Sequence, residues 1–219
     1  MGKREPCYTV VLQFPIRHNS AMLAFGRGQL TDHRESSSTG MSAMAENNHL
    51  QHLEPLGDAT QFAARLHALI EHSPLFENFN LAEIRLLTHF MQVYNAAPEV
   101  AVIREGDDGD FMMLVIEGRI EVMKQDRWNA PRLIAVLDPG QTVGEMSMID
   151  GQPRFASCIA VEHSTLAVLT RENLARIILE QPILGAKILM ELVMMLSQRL
   201  RQTSARLVSY MDREDESKV

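Results

Sequence analysis

Residues Gly144 to Arg154 read GEMSMIDGQPR, which places an acid directly after a glycine and an arginine nine residues later, across a Gly-Gln-Pro turn. The segment MSMID has the spacing of a short helical turn. A helix beginning near Glu145 would present unpaired backbone N–H groups, and such an end attracts anions. Arg154 adds a planar fork of donors that matches phosphate oxygens. A carboxylate in the same place repels a bare phosphate, so it must face a donor such as a sugar hydroxyl. A sugar-phosphate suits the pair, with Arg154 on the phosphate and Glu145 on the sugar. Spacing alone leaves the plainer reading open, because an acid and an arginine in a strand-rich domain are commonly a surface ion pair.

These side chains need a scaffold, and the flanking sequence predicts one. From Val100 to Thr170 short apolar runs alternate with turn residues: VAVI, EGDDGD, FMMLVIEGRIEVMK, RLIAVL, DPGQ, ASCIAV and TLAVL. Such spacing predicts a small antiparallel barrel or jelly roll in place of an α/β sheet. Upstream, Asp58 with Gln61 signals a helix carrying Phe62, Leu66, Leu69 and Ile70 on one face and closed by Pro74. Asn80 with Glu83 opens a second helix from Leu81 to about Met91, with Ile84, Leu87 and Phe90 facing inward. Downstream, a helix from Arg171 to Glu180 stops at Pro182, and a long one follows over 183–211. Along it Ala186, Leu189, Val193, Leu196, Leu200, Thr203, Leu207 and Tyr210 alternate by three and four, which is a heptad seam. The seam packs either on its own barrel, as a lid, or on a partner helix. Dimerisation is the favoured reading, because the helix runs past what a small barrel can cover.

The 219 residues, 46% of them hydrophobic, suffice for one well-buried domain. Residues 1–57, polar and rich in Gly and Ser, are expected to be disordered, with the domain over 58–211 and a charged tail over 212–219. Met41 and Met44 raise the question of a later start. A net charge of −7 argues against a broad phosphate-backbone surface. Cys7 and Cys158 form no disulfide framework, and the pairs His67/His72 and His49/His52 lack a third metal ligand. With no signal-peptide core and no apolar span, a cytoplasmic protein is expected. No nucleophile motif, phosphate-loop lysine or hydrolytic triad is present, so neither enzymatic activity, metal nor resident cofactor is expected.

VGEMSMIDGQPRFAS resembles the phosphate-binding cassette of the cyclic nucleotide-binding domain family. SPLFENF and IREGDDGDFMMLVIEGRIEVM extend the likeness, in order, from about Asp58 to Tyr210. The resemblance implies a mixed α and β fold: a β-roll, a jelly-roll double-stranded β-helix barrel, flanked by N-terminal helices and a long C-terminal helix and holding a 3′,5′-cyclic nucleotide. Carried over by position, Gly144 gives a backbone N–H to the sugar or phosphate, Glu145 accepts from the ribose 2′-hydroxyl, and Met146 and Ser147 complete the helix start near the phosphate. Arg154 pairs with the phosphate, and Phe155 and Ala156 close the cassette. RLRQTSARL, residues 199–207, is similar to the dimer helix of bacterial catabolite activator proteins, in which a Thr-Ser pair reaches adenine. On that likeness Thr203 and Ser204 read the base and the ligand is cAMP. The alternative is that Thr203 is a tolerated polar residue of the seam.

Two departures stand out. Phe155 occupies a position that is usually Ala, Ser or Thr, and it has no hydroxyl to give to phosphate or guanine. Its ring either stacks on a base or fills the pocket. Val143 replaces an aromatic, which affects packing more than chemistry. The resemblance thus implies a homodimeric sensor acting through its last helix on a partner protein. No winged-helix sequence follows that helix, so no DNA is expected as partner, and no membrane. The competing readings are a scaffold that kept the fold without a ligand, and a cyclic di-GMP binder.

Overall fold

The run FMMLVI is buried at six consecutive positions, Phe111 to Ile116, which a strand allows only when both faces of its sheet are covered. In this computed structural model, which describes residues 50–69 and 73–216, the two faces lead into two separate cores. Met112, Leu114 and Ile116 point into a helical core, and Phe111, Met113 and Val115 into the interior between the sheets. The strand ending at Thr170 behaves alike, with Ala167 and Leu169 on one side and Leu166 and Val168 on the other.

In chain order the elements are β1 (Glu54–Asp58), α1 (Ala63–Ala68), α2 (Leu81–Thr88), β2 (Gln92–Ala96), β3 (Ala101–Ile103), β4 (Phe111–Glu117), β5 (Ile120–Gln125), β6 (Pro131–Leu137), β7 (Thr142–Val143), α3 (Glu145–Asp150), β8 (Ser157–Ala160), β9 (Ser164–Thr170), α4 (Arg171–Glu180) and α5 (Pro182–Glu216). All pairings are antiparallel, in a five-stranded sheet ordered β1-β2-β9-β4-β7 and a four-stranded one ordered β3-β8-β5-β6. The two remain distinct sheets, so the expected barrel is an open β-roll.

The described fold includes residues before Asp58. Leu50 and Leu53 are buried in the interior between the sheets, and β1 pairs with β2, so residues 50–57 belong to the fold. The rest of the expected disordered extension, residues 1–49, lies outside the described residues, as do Ile70, His72 and 217–219. Asp58 ends β1 and does not cap a helix; its carboxylate accepts from the Gln92 side chain at 2.7 Å. The helix expected there is a 3-10 turn, Ala59–Phe62, followed by the short α1. Asn80 and Glu83 form the full capping box on α2, with bonds of 2.8 and 3.0 Å. Thr170 caps α4 through the Asn173 N–H.

The last helix exceeds the expected 183–211, running from Pro182 at its start, where a missing N–H costs nothing, to Glu216. Leu184, Ile188, Leu192 and Met195 form its buried stripe, and together they contribute roughly 1.5–3 kcal/mol each to holding it on the body. Four side chains spaced by four residues add polar contacts along nearly the same line. Lys187 pairs with Glu83 of α2 at 2.6 Å, Glu191 accepts from Asn78 at 2.7 Å, Met195 sulfur accepts from the Thr142 hydroxyl at 3.2 Å, and Arg199 pairs with Glu145 of α3. The heptad seam lies on other faces of the helix. Val193 is 61% exposed and Leu200 68%, Ala186, Leu189, Thr203, Leu207 and Tyr210 are exposed as well, and Leu196 is half-buried.

Candidate functional site

Glycine opens the site for a steric reason. Gly144 sits at φ 85°, the left-handed conformation that lets β7 turn at once into α3, and a side chain there would crowd the Arg154 guanidinium and the Phe111 carbonyl. Gly109, in the turn before β4, lies so close to Arg154 that an added Cβ would overlap its guanidinium. Two glycines thus leave the volume that the arginine occupies.

Arg154 is only 4% exposed. Its Nη1 donates to the carbonyls of Phe111 at 2.8 Å and Gly144 at 2.9 Å, and its guanidinium lies 4.2 Å from the Phe111 ring centroid. Burial pulls its pKa below the ordinary arginine value, against the attraction of nearby Asp110 and Glu145. Glu145, the first residue of α3, is 2% exposed, and its Oε1 accepts from Arg199, which also donates to the Thr142 carbonyl at 2.8 Å. Burial pushes the Glu145 carboxyl above its ordinary value, with Arg199 and Arg154 pulling the other way. At six residues α3 has little macrodipole to offer, so Arg199 carries most of the compensation.

Among the described residues three buried side-chain polar atoms lack a hydrogen-bond partner, and two of them are Glu145 Oε2 and Arg154 Nη2. An unused acceptor and an unused donor, both charged and held in a glycine-lined site, call for an explanation, because burying such groups unpaired is costly. Arg154 also forms part of the wall of a cleft of about 240 Å³ with Arg104, Asp107, Asp108, Phe111 and His52. Cys158, buried behind it, has its thiol pushed up to about 12 by burial and is an inert core residue.

The other expected residues scatter. Ser147 and Ala156 are buried beside the site, whereas Met146 is exposed. Phe155 is 56% exposed with its ring 4.8 Å from the Lys124 ammonium, and it is not part of the cleft wall. Thr203 and Ser204 sit in the exposed half of α5, the Thr203 hydroxyl donating to the Arg199 carbonyl at 2.9 Å. Sequence reasoning missed Arg199, although it lies one turn before Thr203 on the same helical face and that spacing was the available signal. It also missed Gly109, which no local pattern distinguishes from other turn glycines.

The sequence model described as the cyclic nucleotide-binding domain matches residues 95–181, from β2 to the end of α4. A solved cyclic nucleotide-binding domain from Methylobacillus flagellatus is similar at 35% identity and a TM-score of 0.65, over 71% of this chain and 88% of that one. The catabolite activator protein structure of Thermus thermophilus is similar at 30% identity and a TM-score of 0.57, over 62% of each chain. In sequence, the chain is 30% identical over 135 residues to the cyclic AMP receptor protein of the same organism, and it spans 61% of that relative's length. The chain belongs to the cyclic nucleotide-binding domain family.

Proposed function

We propose that this chain is a cAMP sensor that binds its ligand at Glu145 and Arg154 and reports occupancy through α5. The observation that carries the reading is the pair of orphaned buried atoms. A cyclic phosphate on Arg154 Nη2 and a ribose 2′-hydroxyl on Glu145 Oε2 would satisfy both at once. In this reading the Gly144 N–H and the start of α3 at Met146 and Ser147 take the phosphate, Ala156 closes the cassette, and Thr203 and Ser204, both exposed on α5, read the adenine. Phe155 is exposed, with its ring against the Lys124 ammonium and outside the cleft wall, which favours this reading over a ligand-free scaffold.

The carboxylate of Glu145 has two oxygens with two employers: Oε1 is held by Arg199 of α5, and Oε2 is left for the sugar. Ligand and helix therefore stabilise the same side chain, and binding favours the arrangement in which α5 is close to the cassette. The exposed seam of α5 pairs with the same helix of a second copy, and the homodimer passes its state to a partner protein in the cytoplasm. Nothing in this scheme requires catalysis. Among the described residues no helix is long and apolar enough to cross a membrane.

Calorimetry tests the site. Arg154→Ala should weaken cAMP binding by roughly 2–5 kcal/mol, tens to thousands of fold, since a buried charge-assisted contact is removed. Unchanged affinity in a folded variant would overturn the site. Thermal melts with cAMP, cyclic GMP and cyclic di-GMP separate the alternatives, because a ligand at 100 times its dissociation constant stabilises by about 2.7 kcal/mol. A shift with cyclic di-GMP alone, or none at all, counts against the sensor.

A further inference from the structure

The C-terminal turn of α3 is held by a residue that lies outside the cassette. Arg171, the first residue of α4, donates from Nε to the Met148 carbonyl at 2.6 Å and from Nη2 to the Ser147 carbonyl at 2.7 Å. The Met148 carbonyl is one of those that a helix end leaves without an internal partner, whereas the Ser147 carbonyl also accepts from the Gly151 N–H at 2.9 Å, so Arg171 adds a second bond to it. The same guanidinium lies against Gly151, whose left-handed φ of 69° closes α3, so that an added Cβ would be 3.6 Å from Arg171 Nη2. Gly151 begins the turn that delivers Arg154. The backbone of Arg171 is itself fixed, its N–H donating to the Asp110 carbonyl at 2.6 Å, directly before the Phe111 carbonyl that receives Arg154.

We propose that Arg171 is a positioning residue of the nucleotide site: it ties the end of α3 to the corner between β9 and α4, and so sets the position of Glu145 relative to Arg154. The inference rests on the proposed cAMP site. It assigns to Arg171 no contact with ligand. Its two bonds run to backbone carbonyls, so any cationic fork of this reach would serve, and a lysine, with one point charge, would serve in part.

The test compares Arg171→Met and Arg171→Lys with Arg176→Met, an exposed arginine of the same helix paired with Glu180. Calorimetry with cAMP should give Arg171→Met an affinity about ten-fold below that of the parent chain, Arg171→Lys an intermediate one, and Arg176→Met no change. Amide exchange of the ligand-free chain should accelerate at 148–151 in Arg171→Met, while β4 and β9 keep their protection. Parent-like affinity in Arg171→Met, or a loss that Arg176→Met shares, would overturn the proposal. If the parent chain binds no cyclic nucleotide, the sensor reading fails by itself, and the exchange at 148–151 still decides whether Arg171 anchors α3.

Discussion

Glu145 is a carboxylate removed from water with only half of its acceptors in use, and Arg199 is the reason it can stay charged. Replacing Arg199 by Met should cost about 1–3 kcal/mol at neutral pH, at or below the low end for a broken buried pair because Arg199 is itself 40% exposed. The sign of the pH dependence follows from the direction of the Glu145 shift. Its folded pKa lies above 4.5, so the folded state holds the proton longer and stability falls as pH rises through the folded value. Without Arg199 that value rises further, and the deficit of Arg199→Met should shrink as the solution is acidified. Denaturant melts across the acid range check this; a deficit that is constant with pH would count against a buried, uncompensated carboxylate. Both ends of the cassette were readable from residue type and spacing because an acid after glycine and an arginine after proline are local signals. The pairing of Arg199 with Glu145 was not, since the two lie 54 positions apart and only the folded chain brings them together.

Along α5 the contacts to α2, to Asn78, to β7 and to α3 recur every fourth residue, so one helical line reports on four separate parts of the body. The Glu83–Lys187 pair anchors the first of them. Its hydrogen bond to Lys187, with the Asn80 N–H, holds the Glu83 carboxyl below its ordinary value of 4.5, so the stability it brings is present above that pH and is lost as pH falls through the folded value. Glu83→Gln, which keeps a cap acceptor for α2, should destabilise by about 0.5–1 kcal/mol at neutral pH and by nothing measurable once both forms are protonated. A gap that persists in acid would assign the effect to packing. The strands with continuous apolar runs, β4 and β9, were legible because burial on both faces leaves no polar alternation to confuse the pattern. β1 and β2 were not. EPLGD holds a proline and a glycine, and QVYNA only one fully apolar large residue, so the extended form of β2 is set by pairing with β9, some 70 positions away, and that of β1 by pairing with β2, and not by their own sequence.

At the scale of the whole molecule, the exposed seam of α5 is an apolar face without a partner among the described residues. Leu200→Asp, placed where the seam is 68% exposed and far from the buried stripe, should leave the fold intact and turn a dimer into a monomer. Sedimentation of both forms at micromolar concentration decides it; a parent chain that sediments as a monomer would remove the dimer from the scheme. Among the described residues Arg199 is the last of α5 with a bond to the β-roll or α3, and beyond it the helix runs on to Glu216, about 25 Å at the usual rise per residue. A rod clamped at one end converts angle into distance: a tilt of about 10° at that clamp would sweep the free tip by roughly 4 Å, close to the radius of a helix with its side chains. An adjustment no larger than a hydrogen bond at the carboxylate would thus reach the last turns of α5 as a much larger displacement.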